Sequence, residues 1–189
     1  MKKIVIFASG SGSNAENIIK HFNKTGTAKV EAIFSDRPKA FVHVRAQNLG
    51  VPSYTFTKAD FYNGANSLVR ELLGDINPDL IVLAGFLLLF PSDLIKIYEG
   101  KIINIHPSLL PKFGGKGMYG ENVHKAVIES SELESGISIH EVNEKFDEGR
   151  ILFQAKVPVN SDDSPETLAA KIHLLEQEHF PQVIERLLK

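Results

Sequence analysis

Asn104 and His106 stand in the run Ile102-Ile103-Asn104-Ile105-His106. Side chains alternate along a strand, so the amide and the imidazole project to one face while Ile103 and Ile105 project to the other. Both polar groups can donate to an oxygen that is gaining negative charge, which suits acyl transfer through a tetrahedral intermediate. No serine with a neighbouring base is evident, so direct attack by an incoming amine is the simpler chemistry. A histidine at a strand end is also an ordinary structural residue, and these five residues leave both readings open. Pro107-Ser108-Leu109-Leu110-Pro111 then ends the strand, with Leu110-Pro111 a candidate cis bond.

A second constellation lies near the N-terminus, where Ser9-Gly10-Ser11-Gly12-Ser13-Asn14 follows the apolar run Ile4–Ala8 and opens a helical pattern. Glycines permit a tight turn there, and the free N–H groups at a helix start face an anion. Gly10 to Ala15 also satisfies the G-x-G-x-x-A dinucleotide pattern. A structural turn, a pyrophosphate site and a monophosphate site therefore compete. The hydroxyl and amide donors of Ser and Asn favour the monophosphate, and Ser35-Asp36-Arg37-Pro38 looks more like a turn than a source of a ribose-binding acid.

The rest of the composition narrows the chemistry. There are no cysteines, which removes thiol catalysis, zinc thiolates and disulfides and is compatible with a reducing cytoplasm. The seven histidines are scattered without the spacing of a metal site. A formal charge of -2 gives no electrostatic footprint for nucleic acid. Small solutes are the expected partners, and the oligomeric state, monomer or homodimer, stays open. The most apolar stretch, Leu80 to Phe90, is about half the ~20 residues a membrane-spanning helix needs, so a soluble, cytoplasmic protein is expected.

The elements that would position these groups follow from periodicity. Strands are expected at Lys3–Ala8, Lys29–Ser35, Ser53–Phe56, Leu80–Ala84 and Lys101–Ile105, with helical patterns between them. That alternation predicts a single-domain, Rossmann-like α/β fold over residues 1–189, its mostly parallel central sheet covered by helices on both faces. Asn104 and His106 then lie at the C-terminal end of a strand, where open α/β sheets bind ligands. Gly136–Val142 and Ile151–Val159 are expected to finish the sheet around a working loop, Glu144-Lys-Phe-Asp-Glu-Gly149. Asp163-Ser164-Pro165-Glu166 announces a C-terminal helix, which Pro181 is expected to kink or interrupt.

Taken with the glycine turn, the segment from Ile103 to Pro111 closely resembles the folate-dependent formyltransferase family. The likeness runs from Ile4 to about Pro181, through Leu83-Ala84-Gly85-Phe86, Gly136-Ile137-Ser138-Ile139-His140 and Phe146-Asp147-Glu148-Gly149. It implies 10-formyltetrahydrofolate as co-substrate, no metal, and an acceptor amine such as that of glycinamide ribonucleotide in purine (IMP) synthesis. It also implies a catalytic group of Asn104, His106 and Asp147. The phosphate seat would be Gly12, Ser13 and Asn14, and Glu176 would accept from the ribose hydroxyls. The folate pocket would use Leu87, Leu88, Leu89, Phe90, His140 and Val142. Without that resemblance Asp147 is an ordinary loop carboxylate, Glu176 a solvated neighbour of an apolar stripe, and Phe86 to Phe90 plain core. A carboxylate beside His106 would favour the charged imidazole.

The chain also departs from its relatives. The segment Phe113 to His124 is longer and richer in glycine, suggesting a mobile flap, and leaves open whether Lys116 or Tyr119 touches substrate. Where many members carry a phosphate-binding arginine near the third helix, this chain has Tyr62-Asn63-Gly64, and position 88, often Arg, is Leu. Among family members, a length of 189 residues argues against a tRNA-specific formyltransferase, and a first strand at Lys3 against the hydrolase with its N-terminal regulatory domain. A sugar-nucleotide formyltransferase remains an alternative. From other classes the rivals are an NAD(P)-dependent oxidoreductase and a non-enzymatic phosphometabolite-binding module.

Overall fold

The computed structural model of the chain describes residues 1–62 and 67–189. In chain order the elements are β1 (Lys2–Phe7), α1 (Ser13–Thr25), β2 (Ala28–Ser35), α2 (Val42–Asn48), β3 (Ser53–Thr55), α3 (Lys58–Tyr62), α4 (Leu68–Ile76), β4 (Leu80–Leu83), α5 (Ser92–Ile97), β5 (Ile102–His106), α6 (Glu121–Glu129), β6 (Glu134–Glu141), β7 (Ile151–Pro158) and α7 (Pro165–Leu187). Each strand expected from the sequence is present, with ends that coincide or differ by at most two residues. Asn63 and Gly64, at the point of departure from the family's arginine, lie outside the described residues.

The strands form one sheet in the order β3-β2-β1-β4-β5-β6-β7. β1 pairs in parallel with β2 and β4, β2 with β3, and β4 with β5. β6 runs antiparallel to both β5 and β7. The chain order reverses around β1 and β4, which places the crevice of the sheet beyond the C-terminal ends of those strands. Strand alternation divides the core in two. Ile4, Ile6, Val82, Ile103 and Ile105 pack with α1, α6 and α7 on one face, whereas Val5, Phe7, Phe34, Ile81 and Leu83 pack with α3, α4 and α5 on the other. On that second face Phe7 stacks on Phe34 at 5.0 Å and meets Phe90 edge-on at 5.2 Å, a favoured aromatic geometry.

α7 begins as its sequence announces, with Ser164 and Thr167 forming a reciprocal capping box and Pro165 at the first helical position. It then runs unbroken through Pro181, against the expectation that this proline would interrupt it. Proline at this position withholds the N–H that would bond the Gln177 carbonyl one turn back. Asn17 on α1 replaces that donor: its Nδ2 donates to Gln177 O at 2.8 Å. Buried Phe180, Val183 and Ile184 hold the same segment against the core. No helix among the described residues is long and apolar enough to cross a membrane.

Candidate active site

β5 delivers Asn104 and His106 to one side of the sheet, as alternation requires, and the β6–β7 connection brings Asp147 against them. Asn104 Nδ2 donates to Asp147 Oδ1 at 3.3 Å and to His140 Nε2 at 3.0 Å. His106 Nδ1 lies 3.5 Å from Asp147 Oδ2, while its Nε2 donates to the Phe113 carbonyl at 2.7 Å. Asp147 also accepts the backbone N–H of Gly115 at 2.9 Å. The three residues named from the sequence therefore meet, although 43 positions separate Asn104 from Asp147. Asp147 adopts φ of 56°, a left-handed conformation that Asp and Asn tolerate better than most residues.

Burial pushes the His106 imidazole below its ordinary pKa, against the opposing pull of Asp147 and the Phe113 carbonyl. The carboxylate does favour the charged imidazole, as expected, but the ring is only 3% exposed, and desolvation of the charged form outweighs that attraction. Burial acts on Asp147 to raise its carboxyl. The His140 imidazole, whose Nε2 lies 3.5 Å from Oδ1, the nearby His106 and the Gly115 N–H together hold it below the usual carboxylate range.

The glycine turn faces the same space. Gly12 caps α1 with φ of 75°, and a Cβ there would run into Val42 of α2, so only glycine fits. No side chain caps this helix start, which leaves first-turn N–H groups directed at the crevice. The Asn14 side chain is committed elsewhere, donating to Glu176 Oε2 at 2.9 Å and accepting from Gln177 Nε2 at 3.0 Å. Glu176 also meets His173 Nδ1 at 3.4 Å, and that hydrogen bond raises the His173 pKa. Asp36, the one acid after β2, accepts from Ser9 Oγ at 2.6 Å and braces the turn.

A cavity of about 790 Å³ joins these parts, with Gly12, Asn14, Asn104, His106, Asp147 and Glu176 in its wall. Ser13 and Leu87 also line it. The remaining residues of the expected folate pocket are placed differently. Leu88, Leu89, Phe90, His140 and Val142 are not in that wall; Phe90 is 2% exposed within the aromatic cluster, and the Leu89 carbonyl accepts from Tyr62 OH at 2.9 Å. His140, buried at 3%, donates Nδ1 to the Glu141 carbonyl and turns Nε2 toward Asn104.

Four contributors carry no mark that sequence reasoning detects. The Phe113 carbonyl and the Gly115 N–H are backbone groups, brought in by the turn after Pro111, whose bond to Leu110 is cis. His124 lines the cavity from α6, and its buried Nδ1 has no hydrogen-bond partner. Ser138 supports the segment from below, donating to Ser108 O at 2.7 Å and accepting from Leu110 N at 2.9 Å.

The formyl transferase family profile matches residues 2–184. The chain belongs to the formyltransferase family. Its relatives in the family include the phosphoribosylglycinamide formyltransferase of Bacillus subtilis, 37% identical over 100% of this chain and 95% of that protein. The chloroplastic enzyme of the same name from Vigna unguiculata is 41% identical over 98% of this chain, which spans 61% of that longer protein. Among solved family structures, phosphoribosylglycinamide formyltransferase from Bacillus halodurans superposes with a TM-score of 0.87 at 35% identity, covering 100% of this chain and 96% of that one. No group of three or more His, Cys, Asp or Glu among the described residues could hold a metal ion.

Proposed function

We propose that this protein transfers the formyl group of 10-formyltetrahydrofolate to the amine of glycinamide ribonucleotide, a step of purine (IMP) synthesis, as a single formyltransferase domain over residues 1–189. The observation that carries this reading is the convergence of Asn104, His106 and Asp147 in one cavity with the uncapped start of α1. The relatives of the same name support the choice of acceptor. Its small-molecule partners suit a chain of formal charge -2, and the absence of cysteine suits the cytoplasm as its compartment.

The acceptor amine attacks the formyl carbon, the carbonyl oxygen becomes an oxyanion, and collapse expels N10 of the folate, which takes up the proton released by the amine. Asn104 stabilises the oxyanion through its amide, and His106 through the N–H that Nδ1 carries in the protonated ring, its Nε2–H being held by the Phe113 carbonyl. What supports this role is that the site already holds a negative oxygen: the Asp147 carboxylate lies against the Asn104 amide and the His106 ring. Both amide hydrogens are engaged in this arrangement, so the formyl oxygen takes the place of an existing acceptor. Asp147 orients His106 and relays the proton through water. The start of α1 at Gly12, Ser13 and Asn14 receives the phosphate, and Glu176 accepts from the ribose. The folate lies along Leu87–Phe90, His140 and Val142.

The test mixes the protein with glycinamide ribonucleotide and 10-formyltetrahydrofolate and follows absorbance as the folate loses its formyl group. Turnover is expected from the wild type. His106→Ala should lose roughly 10²–10⁴-fold in kcat with little change in acceptor binding; absence of any wild-type turnover across a broad pH range defeats the reading.

A further inference from the structure

The wall of the large cavity is poor in positive charge. Glu121, Asp147 and Glu176 contribute carboxylates, and Lys116 is the only Lys or Arg among the described residues that line it. Arg45 braces the glycine turn and is already engaged. Its Nε donates to Ser11 O at 2.9 Å, its guanidinium pairs with Glu16, and it lies 5.1 Å over the Phe41 ring. A helix start offers an anion only about half an elementary charge. His173 also lines the wall, but it is paired with Glu176 at 3.4 Å, so a phosphate of nearly two negative charges beside three carboxylates calls for a further cation.

Lys116 is placed to provide it. Gly115 and Gly117 on either side have φ of 96° and 87°, left-handed conformations that side chains rarely adopt. The backbone just before the lysine is tied to the reaction centre through Gly115 N–H and Asp147 Oδ2 at 2.9 Å. Nearby carboxylates have partners of their own: Glu121 pairs with Lys125 at 3.3 Å and Glu132 with Lys112 at 2.8 Å. From Lys116 the chain passes along the cavity wall to α6, which packs against α7, the helix that carries Glu176. Gly12, Asn14 and Glu176, proposed above to hold the acceptor, line the same wall as Lys116.

We infer that Lys116 is a substrate-binding residue whose ammonium group takes the phosphate of the acceptor, closing over it from the glycine-rich segment. The inference rests on the acceptor being a phosphorylated amine, as proposed above. Lys116→Gln should raise KM for glycinamide ribonucleotide about tenfold, the scale of one charge-assisted hydrogen bond, with kcat within about twofold. Lys116→Arg should restore most of the loss. For glycinamide riboside, which lacks the phosphate, the wild type and Lys116→Gln should be equal. Equal losses with both acceptors would assign Lys116 to loop placement alone, and no loss with either would remove it from the site; both overturn the inference. Calorimetric binding of ribose 5-phosphate supplies a readout without turnover. Binding to the wild type that weakens about tenfold in Lys116→Gln sustains the role even if no formyl transfer occurs, and equal binding, or none, ends it.

Discussion

At the scale of single residues, the site is a balance between burial and charge around one imidazole. Desolvation depresses the His106 pKa, and Asp147 partly offsets that depression because a carboxylate stabilises the imidazolium. Removing the carboxylate's charge while keeping its shape must therefore lower the His106 pKa further. Asp147→Asn retains a residue type that tolerates φ of 56°, so it tests charge and not backbone fit. If the pH profile of kcat has an alkaline limb set by His106, that limb should shift to lower pH in Asp147→Asn, alongside a loss of roughly 10²–10⁴-fold in rate. An alkaline limb that stays in place, or moves up, would break the link between these two side chains. Asn104 and His106 were legible in the sequence because strand alternation alone puts them together. Asp147 was legible only through its resemblance to the family, since nothing in a polar loop announces which carboxylate will fold back onto β5.

At the scale of elements, the central strands β1, β2, β4 and β5 were readable because their apolar runs are largely buried on both faces, as parallel strands in a covered sheet must be. What the sequence hid are partnerships without local signature. Pro181 is the clearest case: judged on α7 alone it should break the helix, yet the donor that satisfies the freed Gln177 carbonyl is Asn17, 160 positions away. Asn17→Ala should then leave a part-buried carbonyl unpaired and cost about 1–3 kcal/mol. Pro181→Ala returns the missing N–H to the helix, so Asn17→Ala should cost markedly less in that background. Urea unfolding of the two single variants and the double variant measures the coupling. Strict additivity would show that Asn17 does not stand in for the lost helical bond. The same reasoning explains why the Phe113 carbonyl and Gly115 N–H escaped the sequence: every residue carries such groups, and only the turn after Pro111 aims these two at the site.

At the scale of the whole molecule, the fold gathers buried histidines around the cavity, and this links its stability to pH. Burial lowers the pKa of both His106 and His124. Unfolding returns each ring to its ordinary value near 6.5, so below that pH the unfolded chain binds more protons than the folded one. The sign is then fixed: stability is full above the unfolded pKa and falls as pH drops below it toward the depressed folded values. His173 acts in the opposite sense, since Glu176 raises its pKa and its contribution is lost only as pH rises above about 6.5. Carboxylates such as Asp147, lowered in the fold, withdraw their stabilisation only near and below their unfolded pKa of about 4. Between about pH 7 and pH 5 the two buried histidines therefore set the slope. The urea midpoint should fall across that range, and His124→Asn, which removes one of the two rings that take up protons on unfolding, should leave a shallower slope than the wild type. His124 is the better probe because it lies outside the proposed catalytic group, and its buried Nδ1 has no partner to lose. A midpoint that is flat with pH in the wild type, or a slope that His124→Asn leaves unchanged, would show that these rings are not held neutral by burial.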